Sequence, residues 1–296
     1  MSLRTNELPI VPMSADLKFV VDSATEDITG LASTDIFESK LSDRFLGADM
    51  NKGKELTETW AALSKRIKAG DTSNIHIGDW KKITIDTEDI IMEVAGVNTY
   101  YRCGDQEIKY HVDFISRDCM KTAVQMRAEA KNNGKSNDVK NPFMSSTLFD
   151  SINNTSNGIL SKLPDDLKDL VIQKRALVEA KYNASSQVNA STGWDWKDMG
   201  KIWLPTEREV FGDSIWCEQT WSGGGGCNIQ YPIFAGVKNS LIKHKGNGVE
   251  DAAVWWTASA ATGSATEFVT VNNQGSSEKK AANAGEVYIP LCFRIG

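Results

Sequence analysis

Residues 201–212 read Lys-Ile-Trp-Leu-Pro-Thr-Glu-Arg-Glu-Val-Phe-Gly. The first five form a short strand whose apolar content is led by Trp203 and Leu204. Thr206 suits an N-cap, because its hydroxyl accepts a hydrogen bond from an amide two or three residues on. Glu207 and Glu209 then fall either in the first helical turn, where unpaired amides favour acids, or on one side of a strand. A structural role accounts for both without acid–base chemistry. A glycosidase would need two carboxylates facing each other across a groove, which this spacing does not establish.

Short strands continue downstream at 253–259 (AVWWTAS), 267–273 (EFVTVNN) and 287–295 (VYIPLCFRI). Trp203, Leu204, Trp255, Trp256, Phe268, Val271, Val287, Ile289, Leu291 and Phe293 lie in alternating or continuous apolar runs, as strands of a central sheet do. Gly275, after Asn272, Asn273 and Gln274, suits a tight turn between two strands. Upstream, 75–85 (IHIGDWKKITI) and 90–102 (IIMEVAGVNTYYR) read as further strands. Residues 118–132 and 162–182 read as two helices, the second with Pro164 in its first turn. Strands at both ends with helices between them predict an α+β domain over 73–296 whose ends meet in one sheet.

Two smaller zones precede it. In 51–72, Leu56, Trp60, Leu63 and Ile67 recur at helical spacing, with acids early, bases late and Gly70 as the stop. The narrow stripe fits either packing against symmetry mates or lying on the following domain. In 1–50, a strand at Lys18–Asp22, an apolar stretch at 28–31 and a helix over 34–41 hold too little apolar material for an independent core. That zone docks on something or trimerises with its own copies.

A net charge of −6 argues against nucleic acid as the main partner, since phosphate binding draws on clustered Lys and Arg. No apolar stretch is long enough to cross a bilayer, and the opening residues lack the core of a secretion signal. Five cysteines without a CxxC pair predict free thiols from a reducing cytoplasm, although Cys217 and Cys227 could close a loop. His76, His111 and His244 have no metal-ligand spacing, and neither metal nor cofactor is expected. In 221–234 (WSGGGGCNIQYPIF), no lysine follows the glycines and Tyr231-Pro232 blocks a helix start, so a phosphate loop is excluded. The segment reads as a surface loop that could display Trp216, Trp221 and Tyr231. Trp194 and Trp196 also lie in loop-like sequence.

The run of boxes WLPTEREVFG, AVWWTAS, EFVTVNNQG and VYIPLCFRI resembles an uncharacterised domain family common in bacteriophage structural proteins and Firmicute surface proteins. Its order of Trp-rich boxes also resembles the C-type-lectin-like fold of phage tropism determinants and formylglycine-generating enzymes. Thr257-Ala258 stand where the family usually has an arginine, so no role of that arginine transfers. The enzymes use a particular cysteine pair, and no role of that pair is carried over to Cys217 and Cys227. The segment from LPIVP through FVVD to GLASTDIF resembles the N-termini of phage fibre and head-fibre proteins.

These resemblances imply a non-enzymatic virion protein, made in the host cytoplasm, with three parts: an attachment segment (1–50) binding capsid or tail, a helix (51–72) oligomerising through Leu56, Trp60, Leu63 and Ile67 into a homotrimer, and a lectin-like domain (73–296). The expected ligand is host-surface glycan, held by Trp216, Trp221, Asn228 and Tyr231, with Asn272 and Asn273 in support. A decoration protein without a receptor, and a fold-related enzyme acting on glycan or protein, are the alternatives.

Overall fold

The computed structural model describes residues 53–132, 141–179, 193–217, 230–235, 241–246 and 251–296, together with the backbone of two strands at 18–22 and 29–33. The chain divides into two compact units, 1–46 and 47–296. In the first, β1 (Lys18–Asp22) and β2 (Thr29–Ser33) form an antiparallel hairpin. The helix expected at 34–41 lies outside the described residues.

The second unit is α+β and largely antiparallel. Its main sheet has the order β3-β4-β5-β12-β6, with β3 at Trp80–Ile85, β4 at Glu88–Val97, β5 at Val112–Cys119, β6 at Val171–Ile172 and β12 at Pro290–Ile295. The last strand thus lies between early ones, and the two ends of the domain meet in one sheet as its apolar runs predict. Every residue of β12 is buried, which explains why PLCFRI reads as a continuous run rather than an alternation. A second sheet has the order β11-β10-β9, with β9 at Trp255–Ala260, β10 at Glu267–Val271 and β11 at Ser277–Ala281. A hairpin of β7 (Arg175–Glu179) and β8 (Trp194–Asp198) stands beside them.

Helix α1 (Trp60–Lys68) starts at Thr59, whose hydroxyl accepts the Ala62 amide, and stops before Gly70, whose φ of +82° is left-handed. Leu56, Trp60, Leu63 and Ile67 are all buried within the core of their own chain, with Trp60 edge-on to Phe114 and Phe293. The stripe therefore covers the sheet instead of facing symmetry mates, and the boundary expected near residue 72 is absent: α1 is part of the domain.

The two long helices expected at 118–132 and 162–182 do not form. After β5, the amides of Met120, Val124 and Arg127 donate to the carbonyls of Ile289, Val287 and Ala282, so pairing with the C-terminal segment replaces local helix bonds. Over 162–182, one helical turn α3 (Asp165–Lys168) gives way to β6 and β7, where Val171 and Ile172 pair with β12. Helix α2 (Thr147–Asn153) lies between them in sequence, capped by the Ser146 hydroxyl. Tertiary pairing has overridden helical propensity in both segments.

Candidate functional site

The site grows from the opening box. Thr206 Oγ1 accepts the Glu209 amide at 3.2 Å, and Glu209 Oε2 accepts the Thr206 amide at 2.8 Å, a reciprocal cap that starts α4 (Glu207–Phe211). The two glutamates are two residues apart, about 200° around a helix, so one short turn sends them in nearly opposite directions. Both are buried.

Glu209 points into the core between the sheets. Its carboxylate accepts Lys174 Nζ at 2.7 Å and also the Tyr100 hydroxyl. Lys174 Nζ lies 3.9 Å from the centre of the Trp203 ring. Alongside, Arg294 on β12 grips Asp113 on β5 through two parallel bonds of 2.7 and 2.8 Å, from residues directly opposite in register. The Tyr231 hydroxyl donates to Asp113 Oδ2 at 3.1 Å, and its ring stacks on Trp203. Gly96 makes room for this ring: a Cβ there would meet it at 3.0 Å and Thr99 Oγ1 at 2.1 Å.

Burial and opposite charge together set the protonation states here. Burial raises Asp113, but the Arg294 charge outweighs it and holds the carboxyl below its usual range. Burial lowers Lys174, against the pull of Glu209. Burial, then the neighbouring Glu209 and Asp113 carboxylates respectively, push the Tyr100 and Tyr231 phenols far up. Burial, then Arg294, brings His111 down to about 4. Neutral His111 fits its contacts, with Nδ1 2.7 Å from the Lys109 carbonyl and Nε2 facing the Tyr100 amide. Two acids, Glu209 and Asp113, and two bases, Lys174 and Arg294, are thus each paired and buried.

Glu207 points the other way. Its Oε2 accepts the successive amides of Ile215, Trp216 and Cys217 at 3.1, 3.0 and 2.8 Å, and its Oε1 accepts the Ser277 hydroxyl at 2.5 Å. One buried carboxylate thereby fixes the loop after α4 onto β11. Trp216 is also tied by its carbonyl to the Thr262 amide, and its Nε1–H donates to the Ser277 carbonyl at 3.3 Å. The indole stays 40% exposed, beside Ile215 at 53%, so an aromatic plate is held rigidly in contact with water.

The turn between β10 and β11 adjoins this plate, because Val271 pairs with Ser277. There Asn272 Oδ1 accepts the amides of Gln274 and Ser276, while Asn273 is exposed at the tip. Trp216 is thus bonded to the strand end from which the Asn272–Asn273 turn departs. Tyr231 is buried: its 1% exposure removes it from any ligand surface, because the turn begun by Pro232 tucks it against Trp203. Trp221, Asn228 and Cys227 lie outside the described residues. Cys217 is a buried free thiol, raised well above the usual range first by burial and then by Glu179 and Glu207.

Two clefts, of about 430 and 260 Å³, meet at Glu88 near the β3–β4 turn, and none of Trp216, Tyr231, Asn272 and Asn273 is among the described residues that line them. Among the described residues, no helix is long and apolar enough to cross a membrane.

Residues 114–295, more than half of the chain, match the family described as Domain of unknown function (DUF6273). The chain belongs to the DUF6273 family. The DUF6273 match starts in β5 and ends in β12, two strands paired at Phe114 and Phe293, so its two boundaries close on each other in the sheet. It includes α4 with both glutamates, Lys174, Trp216 and Arg294, and leaves α1, β3 and β4 outside. No curated protein and no solved structure matches the chain.

Proposed function

We propose that this DUF6273 protein is a non-enzymatic binding protein of a bacteriophage virion that turns a C-type-lectin-like domain toward host-surface glycan. The 1–50 segment attaches to capsid or tail and gathers copies, three by analogy with other fibres. Avidity then lets several weak sites on one particle hold a cell surface. The observation that carries the reading is Trp216, 40% exposed yet pinned by Glu207, Ser277 and Thr262. Sugars stack their C–H faces on such a plate, while side chains of the kind at the adjoining Asn272–Asn273 turn bond their hydroxyls. Glu207 and Glu209, the acids of the opening box, spend their carboxylates on amides, a hydroxyl and Lys174, which supports binding over catalysis.

The second reading is a decoration protein whose same face packs on a neighbouring subunit. Ile215, 53% exposed and aliphatic, favours it. A glycan array probed with the full chain on multivalent beads separates the two. The proposal expects binding that Trp216→Ala abolishes; silence across the array, or undiminished binding by that variant, refutes it.

A further inference from the structure

Among the described strands, β11 lies at the edge of its sheet. Across the β10–β11 pair, the Asn272 amide donates to Ser276 and the Ala282 amide to Thr266, so even-numbered residues of β11 direct their backbone groups toward β10. Ser277, Lys279 and Ala281 therefore direct theirs to the open edge. The Ser277 carbonyl is taken by Trp216 Nε1 and the Ala281 carbonyl by the Ala284 amide. The Lys279 amide has no hydrogen-bond partner among the described residues. Its side chain turns to the tryptophan bonded to that edge: Lys279 Nζ stands 4.7 Å from the centre of the Trp216 ring, loosely paired with Glu267 at 3.7 Å and 31% exposed.

We propose that the glycan taken by this face is anionic, with a carboxylate or phosphate held by the ammonium and backbone amide of Lys279 and a sugar ring stacked on Trp216. The inference rests on the glycan reading and specifies its ligand class. A sheet edge that offers an amide beside an ammonium is an anion site. An extended peptide is a poorer fit, because the two carbonyls flanking Lys279 on this edge are already occupied and a strand could not continue its ladder.

The test is titration of the full chain with oligosaccharides of alternating glucuronic acid and N-acetylglucosamine, their carboxyl-reduced forms, a phosphodiester-linked polymer of N-acetylglucosamine and an acidic peptide. The acidic oligosaccharide or the phosphate polymer should bind about tenfold more tightly than the reduced sugar, the scale of one charge-assisted hydrogen bond. The better of the two identifies carboxylate or phosphate as the source of the charge. Lys279→Gln should erase that preference with melting unchanged, and Lys279→Arg should keep it. Equal binding of acidic and reduced sugars through Trp216 overturns this inference and leaves the glycan reading standing. Preference for the peptide, or a preference that survives Lys279→Gln, also overturns it. Binding to none of the probes here and to nothing on the glycan array overturns both.

Discussion

Glu207 and Glu209 sit two residues apart in one helical turn and do opposite things. Among the described residues the Glu209 carboxylate is held by interior side chains and by the cap of its own helix, and the result is a closed cluster with Lys174, Tyr100, Asp113 and Arg294. Around Glu207 the partners are loop amides and a strand hydroxyl, and the result is an exposed tryptophan held still. Similar burial closes a cluster in one region and holds a half-exposed indole in the other. The difference lies in what the carboxylate holds.

The largest effect should come from opening the closed cluster. Arg294→Met leaves Asp113 charged and unpaired in a sealed site, and should cost about 3–5 kcal/mol in urea unfolding. Retention of near-native stability would mean that the cluster is not closed.

The next effect is that of pH. His111 titrates at about 4 when folded against an ordinary value of 6.5, so the folded state disfavours its proton. Its contribution is complete above pH 6.5 and drains as pH falls through about 4, by about 3 kcal/mol. The depressed carboxyl of Asp113 acts in the same direction at lower pH. Unfolding followed from pH 7 to 4 should show this slope, and His111→Gln should flatten it.

Glu207→Gln should cost less, about 1–3 kcal/mol, since an amide keeps one acceptor for several donors. Trp216→Phe should change stability least, by about 1 kcal/mol, because it gives up one hydrogen bond of a half-exposed ring and keeps an aromatic plate. A large loss of melting temperature in that variant would move Trp216 from presentation to scaffold and erase the contrast.

Local and near-local features of this fold were readable in the residues. Thr206 as cap, the α1 stripe and the apolar runs of β9, β10 and β12 all follow from spacing alone. Residues 118–132 misled because their amides bond to a segment more than 150 residues later, which no local periodicity reveals. The partnership of Lys174 with Glu209 was equally hidden. Arg294 did leave a sign: a charge inside an apolar run buried on both faces requires a buried partner. Asp113, in the apolar stretch of β5, is the partner that the structure supplies. Of the candidate face, Trp216 was legible as a tryptophan in loop-like sequence. The carboxylate that holds it was not, because Glu207 reads as an ordinary first-turn acid.

The division between the two glutamates is tested most directly by native-state hydrogen exchange on Glu207→Gln and Glu209→Gln side by side. In Glu207→Gln the amides of Ile215, Trp216 and Cys217 should exchange faster while β5 and β12 stay protected. In Glu209→Gln protection should fall across β4, β5 and β12 together. Equal, global loss in both variants, or unchanged exchange at 215–217 in the first, would contradict the account.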